Sequence, residues 1–212
     1  MQMSNFQLFK ELMENYTEEK GWPLSLETSV TNASYSTESE NSLCESNLPM
    51  IDMDHFAKKG YRKIILPNSW SEDDSINTAD AFMVDADNEW YFIEFKDGKL
   101  SNKSNKVSVL KKAYSNVYAV LDVLYSMKET QFAYQEFDYD NPMDFLRKKV
   151  SYILVFSEKH NTEHVLQMLN HKYKNENYLP EFMTRLKGYI YKDAYAVTEN
   201  VFEHTFLKKI SY

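Results

Sequence analysis

Cysteine is nearly missing from this chain. Cys44 stands alone among 212 residues, which excludes an intramolecular disulfide and any multi-cysteine metal cage. Glycine and proline are scarce, at 4 and 5 residues, so collagen-like, low-complexity and linker classes are excluded. No run approaches the roughly 18 apolar residues of a membrane helix. The N-terminal residues also lack the basic-then-apolar pattern of a signal peptide, so the expectation is a cytoplasmic protein with no membrane partner. Positive charge is the last shortage. With 24 basic against 32 acidic side chains the formal net charge is −8, and a uniformly negative field steers a polyanion away. A generic basic protein that coats DNA is excluded.

Burial-prone surface, by contrast, is plentiful. Hydrophobic residues make up 43% of the chain and aromatics 15%, including 16 Tyr, 13 Phe and 3 Trp, too much for a disordered chain. The length fits one domain over 1–212 with elaborations. The negative charge is unevenly spread. Residues 1–95 hold 6 basic and 18 acidic side chains, whereas 96–212 hold 18 and 14. Lys96, Lys99, Lys103, Lys106, Lys111 and Lys112 cluster just past the change of sign, with Asp97 the only acid among them. Such a cluster attracts phosphates locally, although charge runs also serve solubility.

The apolar spacing of Phe6, Leu8, Phe9, Leu12, Met13 and Tyr16 predicts a first helix behind a Ser4 or Asn5 cap, ended by Gly21-Trp22-Pro23. Residues 28–47 are polar without a period and read as an exposed loop or insertion. A short helix is expected over 52–59, a short strand at Lys63-Ile64-Ile65-Leu66, and a polar loop over 68–78. Ala81–Val84 and Trp90–Phe95 are β-favouring runs separated by turn residues, and so predict a hairpin. A long helix follows from Val107 to Leu124, carrying Lys111, Tyr114, Tyr118, Asp122 and Tyr125 away from its apolar side. Then come a buried strand at Ser151–Phe156, a helix at Thr162–His171, a strand at Tyr189–Val197 and a closing helix at Glu199–Ile210. This order makes a mixed α/β domain.

A hairpin symmetric about Asp87 sets Asp80 opposite Glu94, Phe82 opposite Phe92 and Val84 opposite Trp90. Cross-strand neighbours point to the same face with Cβ atoms roughly 4.5–5.5 Å apart, which suits two acids sharing a divalent cation. Side chains alternate along a strand, so Lys96 emerges on the face of Glu94. Hard carboxylate oxygens hold Mg²⁺ with several waters retained. The Phe95 carbonyl offers a neutral ligand, and Lys96 can orient a water or stabilise developing charge.

Asp80, followed after a hairpin by Ile93-Glu94-Phe95-Lys96 and a long helix, resembles the PD-(D/E)xK nuclease superfamily with its restriction-endonuclease-like fold. The resemblance covers roughly residues 63–156 plus the first helix, an α-β-β-β-α-β core. It implies Mg²⁺- or Mn²⁺-dependent cleavage of DNA or RNA, with Asp80 and Glu94 as metal ligands and Lys96 as the catalytic lysine. Ala79 stands where the motif's name has proline. A further acid from the first helix is common in the family, for which Glu11 or Glu14 is available. Lys103, Lys106 and Lys111 would then draw in the nucleic-acid backbone.

The motif alone is unspecific: about 3 acid-x-Lys triplets are expected by chance at this composition. Glu18-Glu19-Lys20 and Asp97-Gly98-Lys99 accompany Glu94-Phe95-Lys96, which is singled out by its apolar strand, opposing acid and basic helix start. Two rivals stay open. One is a non-catalytic module of immunity or antitoxin type whose acidic surface neutralises a basic protein partner. The other is a structural α/β protein in which the triplet is a salt bridge. Asp85 to Glu89 reads as a turn, since it lacks the glycine of a calcium loop. His160 and His164 lack a zincin glutamate. Tyr134 to Asp140 reads as an acidic surface loop.

Overall fold

The computed structural model describes residues 3–66, 76–173 and 177–210. Helix α1 (Asn5–Glu19) starts where Ser4 accepts the Gln7 N–H, and it buries Phe6, Phe9, Leu12, Met13 and Tyr16, as the spacing predicts. Strand β1 (Glu27–Ser29), helix α2 (Val30–Ala33) and the small hairpin β2 (Tyr35–Ser36) and β3 (Asn41–Ser42) follow. Strand β4 (Pro49–Asp52) leads through Asp52, whose Oδ1 accepts the His55 N–H at 2.7 Å, into a helical run over 53–65. That run comprises α3 (Met53–His55), a π-helical stretch (Phe56–Tyr61) and α4 (Arg62–Ile65).

Strands β5 (Ala81–Val84) and β6 (Trp90–Lys96) form the predicted hairpin. Helix α5 (Lys103–Met127), helix α6 (Pro142–Lys149), strand β7 (Val150–Phe156), helix α7 (Thr162–Tyr173) and strand β8 (Asp193–Thr198) come next. The chain closes with α8 (Glu199–Val201), a π-helical stretch (Phe202–Phe206) and α9 (Leu207–Ile210). The result is an α/β fold with a mixed six-stranded sheet flanked by helices. Its strand order is β1-β4-β5-β6-β7-β8, antiparallel from β1 to β6 and parallel from β6 to β8. Among the described residues no helix is long and apolar enough to cross a membrane.

Three expectations are corrected. Lys63 to Leu66 is not a strand: Arg62–Ile65 continues the helical run started at Asp52, and the neighbour of β5 is β4 instead. The stretch 28–47 is not merely an exposed insertion. It supplies most of edge strand β1, and it buries Val30, Ser34 and Cys44. Its polarity reflects a short edge strand and a small hairpin, neither of which needs an apolar period. Tyr134 to Asp140 is not simply a surface loop, because Tyr134 and Phe137 are buried against Trp90. The polar loop expected at 68–78 lies mostly outside the described residues.

Hairpin register decides where the chemistry falls. Phe82 pairs with Phe92 and Val84 with Trp90, as symmetry about Asp87 requires. Two carboxylate oxygens hold the turn's shape: Asp85 Oδ1 accepts the N–H groups of Asp87 and Glu89, both at 2.9 Å, while Oδ2 accepts the Tyr91 hydroxyl. Phe82, Trp90 and Phe92 build one face under α1, with Phe9 4.8 Å from both Phe82 and Trp90. The other face packs Tyr91 on Phe206 and Phe95 on Phe202. Strand β6 is therefore covered on both sides, and a charged side chain on it is desolvated.

Candidate functional site

Glu94 sits on the α1/α5 face of β6 and is 0% exposed. An isolated carboxylate there would be costly, and α5 supplies the compensation. Lys112 Nζ donates to Glu94 Oε2 and to Asp80 Oδ1, each at 2.8 Å. The second Asp80 oxygen accepts the Phe95 N–H at 2.7 Å. Lys96, on the same face as Glu94, brings its Nζ to 3.7 Å from Glu94 Oε1, too long for a hydrogen bond. Glu94 Oε1 is thus buried without a hydrogen-bond partner. The hairpin extends its register past its last pair to bring Asp80, Glu94 and Lys96 together.

These groups form one end of a cleft of about 420 Å³. It opens where β6 finishes, at the carboxyl end of a strand that runs parallel to β7, a common place for ligand sites in α/β sheets. The opposite wall comes from α2 and β2, and Asp52, Asp54, Lys58, Asp97 and Glu38 complete the charged lining. The loop after Lys96 is clamped from the turn just before α7. Buried Asn161 accepts the Leu100 N–H at 2.7 Å and donates to the carbonyls of Gly98 and Ser157, while His160 Nδ1 lies 2.7 Å from the Asp97 carbonyl.

Burial pushes the Glu94 carboxyl up to about 8, with the Asp80 charge adding to the rise and Lys112 and Lys96 opposing it. Burial works to lower the Lys112 ammonium, but Glu94 and Asp80 outweigh it and its pKa is raised. The two directions are consistent: Glu94 takes up a proton more readily than an exposed carboxyl, and Lys112 holds its proton firmly between the acids. Burial likewise raises Asp52, which feels Asp54 and Asp80.

Asp80, Glu94 and Lys96 converge, and Phe95 joins them through its backbone while its ring turns to the opposite face. Glu11 and Glu14 stay away from the cleft. Glu14 accepts the Leu26 N–H at 2.8 Å, and Glu11 borders a small hollow beside Leu12 and Phe132. Lys103, Lys106 and Lys111 do not line the cleft either. Lys103 and Lys111 are exposed on α5, and Lys106 faces a separate groove where its Nζ stands 6.0 Å from the Phe182 ring. The residue that sequence reasoning passed over is Lys112, counted only as part of the basic cluster.

The donor set suits a small hard cation. Asp80 Oδ1 and Glu94 Oε2 converge on one position, now held by an ammonium, and Glu94 Oε1 adds an unpartnered oxygen. Mg²⁺ typically needs only one or two carboxylates, with waters completing its shell. Among the described residues no three His, Cys, Asp or Glu side chains form a metal-holding group of their own, so backbone and water would supply the remaining ligands. No family model, curated protein or solved structure matches the chain.

Proposed function

We propose that this protein is a metal-dependent phosphodiesterase of the PD-(D/E)xK type, acting on DNA or RNA, with a restriction-endonuclease-like core. The carrying observation is the convergence of Asp80, Glu94 and Lys96 at the carboxyl end of β6, with a buried, unpartnered Glu94 oxygen at the head of a cleft. Asp80, Glu94 and the Phe95 carbonyl would hold Mg²⁺ or Mn²⁺. When bound, that ion polarises a phosphoryl oxygen and lowers the pKa of a coordinated water. Lys96 reaches the same point with a side chain that is 20% exposed, so it can meet substrate, orient the attacking water and stabilise charge developing on phosphate. Without the ion, Lys112 holds the two acids in register and keeps them from repelling each other.

The test is cleavage of single- and double-stranded DNA and RNA with Mg²⁺ or Mn²⁺, comparing wild type with Glu94→Ala and Lys96→Ala. Activity in the wild type that drops at least a hundredfold in both variants is expected. Equal activity in all three, or none in any, overturns the proposal. Calorimetric titration of Mn²⁺ gives an independent readout: Glu94→Gln should abolish the heat of binding.

A second reading rests on Lys112. Its ammonium already occupies the cation position between the carboxylates, leaving Glu38, Asp52, Asp54 and Asp97 to dominate the cleft wall. That pattern suits a non-catalytic module that captures a basic protein segment. A silent Mn²⁺ titration, together with binding of a Lys/Arg-rich peptide that fails after charge reversal at Asp54, would favour it.

A further inference from the structure

We propose that the outer face of α5 is a binding platform for single-stranded nucleic acid, separate from the acidic cleft. Lys103, Val107, Lys111, Tyr114, Tyr118 and Tyr125 are all exposed. At 3.6 residues per turn they fall within a sector of about 80° that runs roughly 33 Å along the helix. The buried face, with Val109, Ala113, Asn116, Val120, Leu124 and Met127, lies on the other side. Packing against the core therefore does not account for Tyr114 and Tyr118, and Tyr118 is 68% exposed.

Charge identifies the occupant. In a chain with 32 acidic residues, two of the four lysines of α5, Lys103 and Lys111, lie on this stripe, and the helix's one acid, Asp122, lies beside it. That acid is engaged, its Oδ2 accepting the Tyr61 hydroxyl at 2.9 Å. The stripe therefore offers cations at its N-terminal end and aromatic rings beyond, with no carboxylate among its six side chains. Protein interface cores are depleted in lysine, whereas backbone-tracking ammoniums beside aromatic rings suit phosphates and stacked bases. A duplex keeps its bases stacked on one another, so the rings call for a single strand. Tyr114 and Tyr118 stand about 6 Å apart along the axis, and each can take one base.

Part of the platform is held in place beforehand, which lowers the ordering cost of binding. The Tyr125 hydroxyl donates to the Tyr139 carbonyl at 2.7 Å, and its ring meets that of Tyr139 edge-on. Lys128, just past the helix end, lies over the Tyr139 ring at 5.3 Å and adds a cation at the far end. Lys112 leaves α5 on the cleft side, so the platform does not depend on the metal chemistry proposed above.

Fluorescence anisotropy of the full chain tests this, using labelled DNA and RNA strands of about 16 nucleotides and the matching duplex, with chelator present to silence the cleft. Saturable binding of either single strand is expected, with the duplex at least tenfold weaker. Tyr114→Ala with Tyr118→Ala should weaken binding tenfold or more at an unchanged salt slope, while Tyr118→Phe retains it because stacking needs the ring and not the hydroxyl. Lys103→Gln with Lys111→Gln should flatten the salt slope by about 1.4, some 0.7 per lost phosphate contact on a single strand. Glu94→Gln should bind as wild type, which separates this platform from the cleft. No binding at low salt, equal affinity for duplex, full affinity in the alanine pair, or loss in Glu94→Gln would each overturn the proposal. Circular dichroism checks that the variants, all but Glu94→Gln at exposed positions, remain folded.

Discussion

Lys111 and Lys112 are neighbours in sequence and opposites in the molecule. Lys111 stands on the exposed face of α5, beside Tyr114 and free of the cleft. Lys112 reaches inward, its side chain only 13% exposed, and bridges Asp80 and Glu94 at 2.8 Å. One residue of helix, about 100° of rotation, separates a solvated charge from the counter-ion of a buried pair of acids. The local surplus of lysine therefore divides into two uses: one neutralises an acidic cleft, and the other leaves a cationic helix face on an acidic protein. Net charge describes neither face.

The largest effect that tests this contrast is on stability. Removing one partner of a buried charge network strands the others and typically costs about 3–5 kcal/mol, so Lys112→Ala should lose roughly that amount in urea unfolding at neutral pH. Lys111→Ala should stay within about 0.5 kcal/mol, as exposed substitutions do. Equal losses at the two positions would break the comparison.

The pH dependence is the next largest effect. An acid whose pKa rises on folding holds its proton more tightly in the folded state, so stability falls as pH climbs through the window between its ordinary value and its folded one. For Glu94 that window runs from its ordinary 4.5 to about 8. Wild-type stability should decline across it, and Glu94→Gln should remove most of that slope. An unchanged slope would mean that Lys112 and water compensate the buried charge fully. Asn116, also on the inner face, carries a smaller load. Its Oδ1 accepts the Ala79 N–H at 2.8 Å, fixing the chain just before Asp80. Asn116→Ala leaves that buried donor unpaired, at about 1–3 kcal/mol, and should also weaken Mn²⁺ binding by letting Asp80 drift.

The same contrast shows what was legible beforehand. The hairpin register followed from two β-favouring runs placed symmetrically about Asp87 in a turn rich in Asp and Asn, and it carried Asp80, Glu94 and Lys96 with it. The apolar trio 64–66 after Lys63 misled because a short run fits either a strand or a helix, and the cap at Asp52 decided for the helix. Strand β1 and the 28–47 folds carry too few apolar residues to show a period. Lys112 was hidden by helix phase. Val107 and Leu110 suggested one apolar face, yet Val107 is exposed and the buried seam runs through small residues, Ala113, Asn116 and Ala119. Lys112 borders that seam, one residue before Ala113, and reaches Glu94 from its edge.

The smallest expected effect concerns the rim between the two faces and the outer stripe itself. Tyr61 donates its hydroxyl to Asp122 where α5 turns from buried to exposed, so Tyr61→Phe should cost about 1.5 kcal/mol, the low end for a hydrogen bond to a charged acceptor, since the carboxylate is partly solvated. Tyr118, a turn away and mostly in solvent, has little surface to lose. Its replacement opens no cavity, and Tyr118→Ala should shift stability by less than about 0.5 kcal/mol. If strand binding nevertheless falls in that variant, the ring is kept for what it meets from outside and not for the fold. If stability falls by 2 kcal/mol or more, Tyr118 is packing after all, and the outer face of α5 would be an extension of the core that Lys112 serves.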